Sequence, residues 1–103
     1  MILEFDELRK YINLWKSNGE KIVFTNGCFD LLHKGHLDLL QSARGFGDRL
    51  VIGINSDESI KRIKGEKRPY QTEHIRATSL LNTTLASAIT IFNQDTPIEI
   101  IKK

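Results

Sequence analysis

Apolar residues recur with two different periods along this chain, and the alternation between the periods predicts its elements. Near the N-terminus, the apolar positions three or four residues apart are Phe5, Leu8, Ile12 and Trp15. Such spacing places an apolar stripe on one side of a helix, which is predicted over residues 6–17. Asp6 is the expected N-cap and Gly19 the expected stop. Phe5 and Trp15 are therefore expected to lie in the core.

Three short runs rich in β-branched residues predict strands at residues 21–25, 50–54 and 86–92. The second run is apolar throughout, as expected for a strand that is buried on both faces. Helical spacing resumes over residues 34–44 and again after Thr72, the predicted N-cap of a further helix. Strands and helices therefore alternate as β-α-β-α-β. This order predicts a Rossmann-like α/β fold with a parallel sheet, right-handed crossovers and flanking helices.

Length and composition are those of one globular domain. The chain has 103 residues, of which 40% are hydrophobic and 27% charged, so a single domain over residues 1–103 is expected. Thr96 followed by Pro97 predicts the start of a last helix over residues 97–103. The single cysteine excludes an internal disulfide, and neither a signal peptide nor a membrane-spanning stretch is recognised. A cytoplasmic protein with no membrane partner is expected.

Charge is modest overall but concentrated in one segment. The net charge is +2, which by itself does not predict a nucleic-acid partner. The basic residues of the segment are Lys61, Arg62, Lys64, Lys67 and Arg68. This stretch follows a predicted short turn capped by Ser56, and it is itself predicted to be a loop. It is either a solvated surface or a phosphate-binding segment.

Two histidines at the start of the helix predicted over residues 34–44 carry the clearest chemical signal. His33 and His36 enclose Gly35 and follow a strand and a glycine-containing turn. A helix N-terminus presents unpaired N–H groups and a partial positive charge, so it favours anions such as phosphates. Imidazoles add hydrogen-bond donors there, and glycine lets a ligand approach the backbone. The pattern predicts phosphate chemistry on a nucleotide; the alternatives are a solvent-facing pair or a metal site.

Other polar residues near this turn have ordinary alternatives to a chemical role. Cys28 is interpreted as a small packed side chain rather than a nucleophile. Asp30 either belongs to the turn alone or takes part in the chemistry. His74 is expected to be a solvated residue on the helix after Thr72. The residues alone do not decide between these alternatives for Asp30.

Four segments resemble, in order, the motifs of a known family. Residues 25–36, Thr-Asn-Gly-Cys-Phe-Asp-Leu-Leu-His-Lys-Gly-His, carry the His-x-Gly-His signature of the cytidylyltransferase-like nucleotidyltransferases. Residues 47–57, 61–69 and 92–97 narrow the resemblance to the adenylyltransferase domains that make ADP-heptose. Glycerol-3-phosphate cytidylyltransferases share the first motif but match the next two less well. The resemblance covers roughly residues 18–103.

The resemblance implies a reaction and a set of site residues. An oxygen of a sugar 1-phosphate would attack the α-phosphate of a nucleoside triphosphate, ATP rather than CTP, and pyrophosphate would leave. Mg²⁺ would accompany the triphosphate. His33, His36 and Lys64 would be the catalytic residues. The nucleotide would contact Thr25, Asn26, Gly27, Cys28, Phe29, Asp30, Gly35 and Arg76.

Two other functions fit the same residues. One is a glycerol-3-phosphate cytidylyltransferase-like enzyme, and the other is a truncated, inactive domain that binds nucleotide or supports assembly. The family domain continues with two further strands, which are expected to be absent here. In the family's sheet order, 3-2-1-4-5, the strand at residues 21–25 would then lie at an edge. An apolar edge invites pairing with another chain, so a homo-oligomer is expected.

Overall fold

Strands and helices alternate along the part of the chain that the computed structural model describes, residues 2–65, 67 and 70–93. The strands are β1 (Ile22–Gly27), β2 (Arg49–Asn55) and β3 (Ala88–Phe92). The helices are α1 (Phe5–Ser17), α2 (Lys34–Arg44), α3 (Asp57–Lys64) and α4 (Glu73–Asn82). Within these residues, every helix is too short or too polar to cross a membrane. The last helix predicted over residues 97–103 lies outside the described residues.

The three strands form one parallel sheet in the order β1-β2-β3. In its register, Thr25 lies beside Ile52, which in turn lies beside Ile89. The central strand β2 is buried at every position after Arg49. This burial confirms the prediction made from its uninterrupted apolar run, because a central parallel strand is covered on both faces.

Helices cover both faces of the sheet. On one face, Leu8 and Trp15 of α1 pack with Val51 and Ala88. On the other face, the cluster formed by α2, α4 and the strands contains Leu40, Ala77, Leu80, Leu50, Ile52, Ile54 and Ile89. The two sets alternate along β2 because successive strand side chains point to opposite faces. The result is the predicted Rossmann-like α/β architecture, with its helices on both sides of a parallel sheet.

The two edges of the sheet differ. Next to β3, Ile2 forms a parallel bridge with Ile89, and the N–H of Leu3 donates to the carbonyl of Ile89 at 2.8 Å. Within the described residues, β1 pairs with β2 alone. Among these residues β1 therefore lies at an edge, as expected when the two further strands are left out of the family's sheet order. The homo-oligomer inferred from that edge stays a prediction.

The first helix begins one residue earlier than predicted. Its N-cap is Glu4, whose side chain makes no capping hydrogen bond, and Asp6 lies inside the first turn. The prediction of Asp6 as the N-cap is therefore wrong, although a carboxylate in the first turn still stabilises the helix through its dipole. Trp15 is buried, as predicted, whereas Phe5 is only half-buried.

The segment after Ser56 is a helix rather than a turn and a basic loop. Ser56 Oγ accepts a hydrogen bond from the N–H of Ser59 at 3.1 Å and caps α3. The helix was missed because it contains only two apolar residues, Ile60 and Ile63, which are too few for a clear stripe. Its acidic first turn and basic last turn instead match the helix dipole. The first part of the basic stretch, Lys61 to Lys64, is therefore helical.

Candidate functional site

The candidate site lies where β1 leads into α2. Thr25, Asn26 and Gly27 occupy the last positions of β1, and residues 28–32 connect them to His33, the N-cap of α2. Ligands of open α/β sheets bind beyond the carboxyl ends of the parallel strands. The fold thus gathers most of the predicted site residues at the edge of the sheet where a ligand is expected.

The two histidines cap α2 through a reciprocal pair of hydrogen bonds. His33 Nδ1 accepts from the N–H of Gly35 at 3.0 Å, and His36 Nδ1 accepts from the N–H of His33 at 3.3 Å. The arrangement is a capping box in which imidazoles replace the usual hydroxyl and carboxylate groups. The two rings stack with their centroids 3.9 Å apart. The sequence predicted where the helix starts, but not that these histidines supply its caps.

The caps also decide which nitrogen of each ring carries the proton. A neutral imidazole has one acceptor and one donor nitrogen, so a ring that accepts at Nδ1 holds its proton at Nε2. Each histidine therefore offers an Nε2–H donor, whereas a proton on Nδ1 would break a cap. Burial, and secondly the charge of His33, lower the pKa of His36 from its ordinary value of 6.5. Both effects favour the neutral ring at His36.

Gly35 is needed by the ring of His33. A Cβ at this position would lie 2.9 Å from His33 Cε1 and 3.1 Å from His33 Nδ1. Glycine at this position therefore makes room for the imidazole of His33. The contact between Gly35 and the nucleotide stays a prediction.

The loop between β1 and α2 is strained at two positions. Phe29 and Leu31 have φ angles of 49° and 56°, in the left-handed region that costs an L-residue roughly 1–2 kcal/mol. The ring of Phe29 is buried and meets the ring of His36 edge-on, with centroids 5.5 Å apart and an interplanar angle of 61°. It also leaves no room at Gly27, where a Cβ would lie 3.0 Å from the phenyl ring. Phe29 therefore supports His36 from the protein interior.

Asp30 fastens this strained loop to the segment before α4. Its Oδ2 accepts from the N–H of Tyr70 at 2.8 Å, and its Oδ1 accepts from the N–H of Gln71 at 2.9 Å. The Gln71 side chain accepts in turn from the N–H of Leu31 at 3.4 Å, a longer and weaker bond. Gln71 was not predicted from the sequence, because its partners in the loop are about 40 residues away.

Arg76 is completely buried beneath the site. Its Nη1 donates to the carbonyl oxygens of Cys28 at 2.8 Å and Asn55 at 2.7 Å, at the ends of β1 and β2. Its Nε donates to the carbonyl of Gln71 at 3.1 Å, and its Nη2 to Asp57 Oδ1 at 2.8 Å. A buried guanidinium requires such partners. Arg76 thus joins two strand ends to the starts of α3 and α4, and its contact with nucleotide stays a prediction.

The remaining candidate residues have different surroundings. Cys28 is half-buried, with its Sγ 3.7 Å from Asn55 Oδ1, which agrees with a packed side chain. Lys64 is exposed in the last turn of α3. In the described part of the chain, it makes no hydrogen bond or ion pair with either histidine. Its catalytic role stays a prediction, and Arg68 of the same basic stretch lies outside the described residues.

Comparison with known proteins finds one family whose model matches most of this chain. Residues 24–102 match the family described as Cytidylyltransferase-like. The chain is 51% identical over 96 residues to the Bifunctional protein HldE of Koribacter versatilis, and 50% identical over 95 residues to that of Helicobacter pylori. These alignments cover 93% and 92% of this chain but 20% of each relative. The chain therefore spans about a fifth of the length of the curated relatives that it matches.

A solved structure has a similar fold. The lipopolysaccharide core biosynthesis protein from Thermoplasma volcanium matches with a TM-score of 0.70 and 27% identity, over 82% of this chain and 68% of that one. The family match covers the strands β2 and β3, most of β1, and the histidine-capped helix between β1 and β2. On these grounds the chain belongs to the cytidylyltransferase-like family.

Proposed function

We propose that this chain transfers an adenylyl group from ATP to a sugar 1-phosphate and releases pyrophosphate, as in the synthesis of ADP-heptose. The observation that carries the proposal is the reciprocal cap formed by His33 and His36 at the start of α2. It combines a helix N-terminus with two oriented imidazole donors, which suits a polyphosphate. Similarity to a lipopolysaccharide core biosynthesis protein supports a sugar phosphate as the acceptor.

The histidines would act on the phosphates as hydrogen-bond donors. The triphosphate would lie against the N-terminus of α2, where the Nε2–H groups of His33 and His36 donate to phosphate oxygens. An oxygen of the acceptor phosphate forms a new bond to the α-phosphorus, and the bond to the bridging oxygen of the β-phosphate breaks. Pyrophosphate leaves with that electron pair. Because the caps and Phe29 hold the rings in place beforehand, little reorganisation is needed as charge moves onto the leaving group.

Cations complete the proposed site. Lys64 would neutralise phosphate charge from the end of α3, and Thr25, Asn26 and Gly27 would line the nucleotide. Mg²⁺ binds phosphate oxygens together with water and a few carboxylates, and when bound it would neutralise charge on the departing pyrophosphate. Among the residues that the structure describes, no three His, Cys, Asp or Glu side chains form a metal cage. This fits a metal ion whose oxygens come chiefly from the triphosphate.

Pyrophosphate release from the full-length protein tests the proposal. We expect release with ATP and heptose 1-phosphate, and none with CTP and glycerol 3-phosphate. The opposite preference would favour the cytidylyltransferase alternative. Release with neither pair would favour a domain that binds nucleotide without turning it over.

A substitution that separates capping from donation tests the role of His36. In the variant His36→Asn, the amide oxygen can replace Nδ1 as the acceptor for the N–H of His33, but the Nε2–H donor is lost. We expect kcat to fall by about 10²–10³-fold while the protein stays folded. The control Lys34→Gln changes an exposed residue of the same helix turn and should retain activity. Unchanged kcat in His36→Asn would exclude the proposed donor.

A further inference from the structure

The loop that leads into the histidine pair does not hold its shape by local contacts alone. Both residues that flank Asp30 adopt positive φ angles, 49° at Phe29 and 56° at Leu31. Conformations of this kind persist only where surrounding structure imposes them. The surrounding structure here is the segment at Tyr70 and Gln71, which lies about 40 residues further along the chain.

The carboxylate of Asp30 makes the main connection between the two segments. Each of its oxygens accepts from a different backbone N–H, that of Tyr70 at 2.8 Å or that of Gln71 at 2.9 Å. Hydrogen bonds to an ionised acceptor at these lengths are the stronger kind. Arg76 reinforces the connection from below, because it donates to the carbonyls of both Cys28 and Gln71. We call Asp30, Gln71 and Arg76 the loop clasp.

The loop clasp acts on the histidines through Phe29. Phe29 directly precedes Asp30, its side chain is 5% exposed, and its ring lies edge-on to that of His36 with centroids 5.5 Å apart. Without the Asp30 carboxylate, the loop would keep the bond from Arg76 to Cys28 but would lose both bonds made by the residue next to Phe29. Phe29 would then be held less firmly in its strained conformation against His36. A carboxylate whose two oxygens already accept backbone N–H groups is also a poor partner for an anionic triphosphate.

We propose that Asp30 is a positioning residue that sets the orientation of His36 through Phe29, rather than a nucleotide contact. The expected effect of Asp30 on kcat rests on the nucleotidyl transfer proposed above. Its expected effect on the orientation of the His36 ring does not.

The variant Asp30→Asn tests the proposal, since it keeps the shape of the side chain but places a donor opposite a backbone N–H. Long-range ¹H–¹⁵N spectra of the full-length protein report the ring nitrogens of each histidine. We expect the His36 signals to shift and the pKa of His36 to rise towards 6.5 as the ring becomes more exposed. The signals of His74, on the solvent side of α4, should not move. This measurement needs no substrate.

Kinetics provide the second readout. We expect kcat to fall about 10–100-fold in Asp30→Asn, the range for a misplaced catalytic group, with the nucleotide KM changed by less than about threefold. Asp38→Asn is the matched control, because Asp38 is exposed on α2 and forms an ion pair with Lys34; it should change neither readout. If Asp30→Asn does not fold, Phe29→Leu should shift the same His36 signals and lower kcat by a similar factor.

Three results would overturn the proposal. The first is unshifted His36 signals in Asp30→Asn, and the second is unshifted signals in Phe29→Leu. The third is a weakening of nucleotide binding by more than about tenfold with His36 unmoved, which would make Asp30 a direct contact. If the wild-type protein transfers no nucleotide, the proposed function fails while the spectra still decide the role of Asp30.

Discussion

Arg76 should be the side chain near the site whose loss most destabilises the fold. The substitution Arg76→Met keeps an unbranched chain as far as the position of Nε but removes every donor. It leaves four acceptors without this donor, namely the carbonyls of Cys28, Gln71 and Asn55 and the carboxylate of Asp57. Breaking a buried ion pair on one side costs roughly 3–5 kcal/mol, and each orphaned buried acceptor costs about 1–3 kcal/mol.

Solvent reduces this sum. The Asp57 side chain is 31% exposed whereas that of Arg76 is fully buried, so water can reach the orphaned carboxylate but not the cavity that the guanidinium leaves. We therefore expect a loss of about 3–5 kcal/mol in the free energy of unfolding. Since the free energy of unfolding of a typical domain is roughly 5–15 kcal/mol, the variant should be marginally folded. For Arg76→Lys, the loss in the free energy of unfolding should be smaller than for Arg76→Met but not zero, because one ammonium keeps the charge but cannot reach all four acceptors.

Urea unfolding followed by tryptophan fluorescence measures the loss. The chain has a single tryptophan, Trp15, which is buried against the opposite face of the sheet and so reports global unfolding. The control Lys34→Met removes an ion pair whose side chains are 89% and 60% exposed, and it should cost at most about 0.5 kcal/mol. A loss below about 1 kcal/mol in Arg76→Met would refute the view that these acceptors depend on the guanidinium.

Two further predictions concern the histidine caps. The substitution Gly35→Ala should stabilise α2 by about 1 kcal/mol through the higher helix propensity of alanine. The new methyl group should also displace the His33 ring and so remove the stabilisation by its cap, which is of similar size. Urea unfolding should therefore show a net change under about 1 kcal/mol, together with altered His33 signals; a large destabilisation or an unmoved ring would contradict this. For His36, the folded-state pKa lies below 6.5, so the unfolded chain takes up the proton first and stability falls as pH drops below 6.5. His36→Asn should remove that part of the pH dependence, and identical profiles for the two proteins would show that His36 is not its source.

The elements that the sequence predicted well are those whose signals are local. The bounds of α2 follow from an apolar stripe with glycines directly after it, and the cap of α4 follows from Thr72, whose Oγ1 accepts from the N–H of Ile75. The sheet order followed from the resemblance to a family. In α3, by contrast, most residues are charged or polar, so its helical period was hidden.

The contacts within the site could not be predicted, because they join residues that are distant in the sequence. Asp30 meets Tyr70 across 40 residues, and Arg76 meets Cys28 across 48. A carboxylate in a glycine-containing turn can accept from its own backbone, from a ligand or from another segment, and composition favours none of these. The motif therefore predicted which residues lie near the carboxyl end of β1, while the hydrogen bonds among them and with distant segments required the fold.

The histidine caps also bear on how the proposed site would attract phosphate. Because Nδ1 of each histidine is used as a cap, a proton on Nδ1 would be gained only at the expense of the helix start. The caps therefore orient the imidazoles as donors at Nε2, and in the proposed function an anion would be attracted by the α2 dipole and those donors together. The full positive charge would come from Lys64, which lies in the exposed basic last turn of α3, the helix that follows the adjacent strand β2. On this argument, orientation and net charge are contributed by two separate helices, so substitutions at Lys64 should weaken triphosphate binding without disturbing the histidine signals.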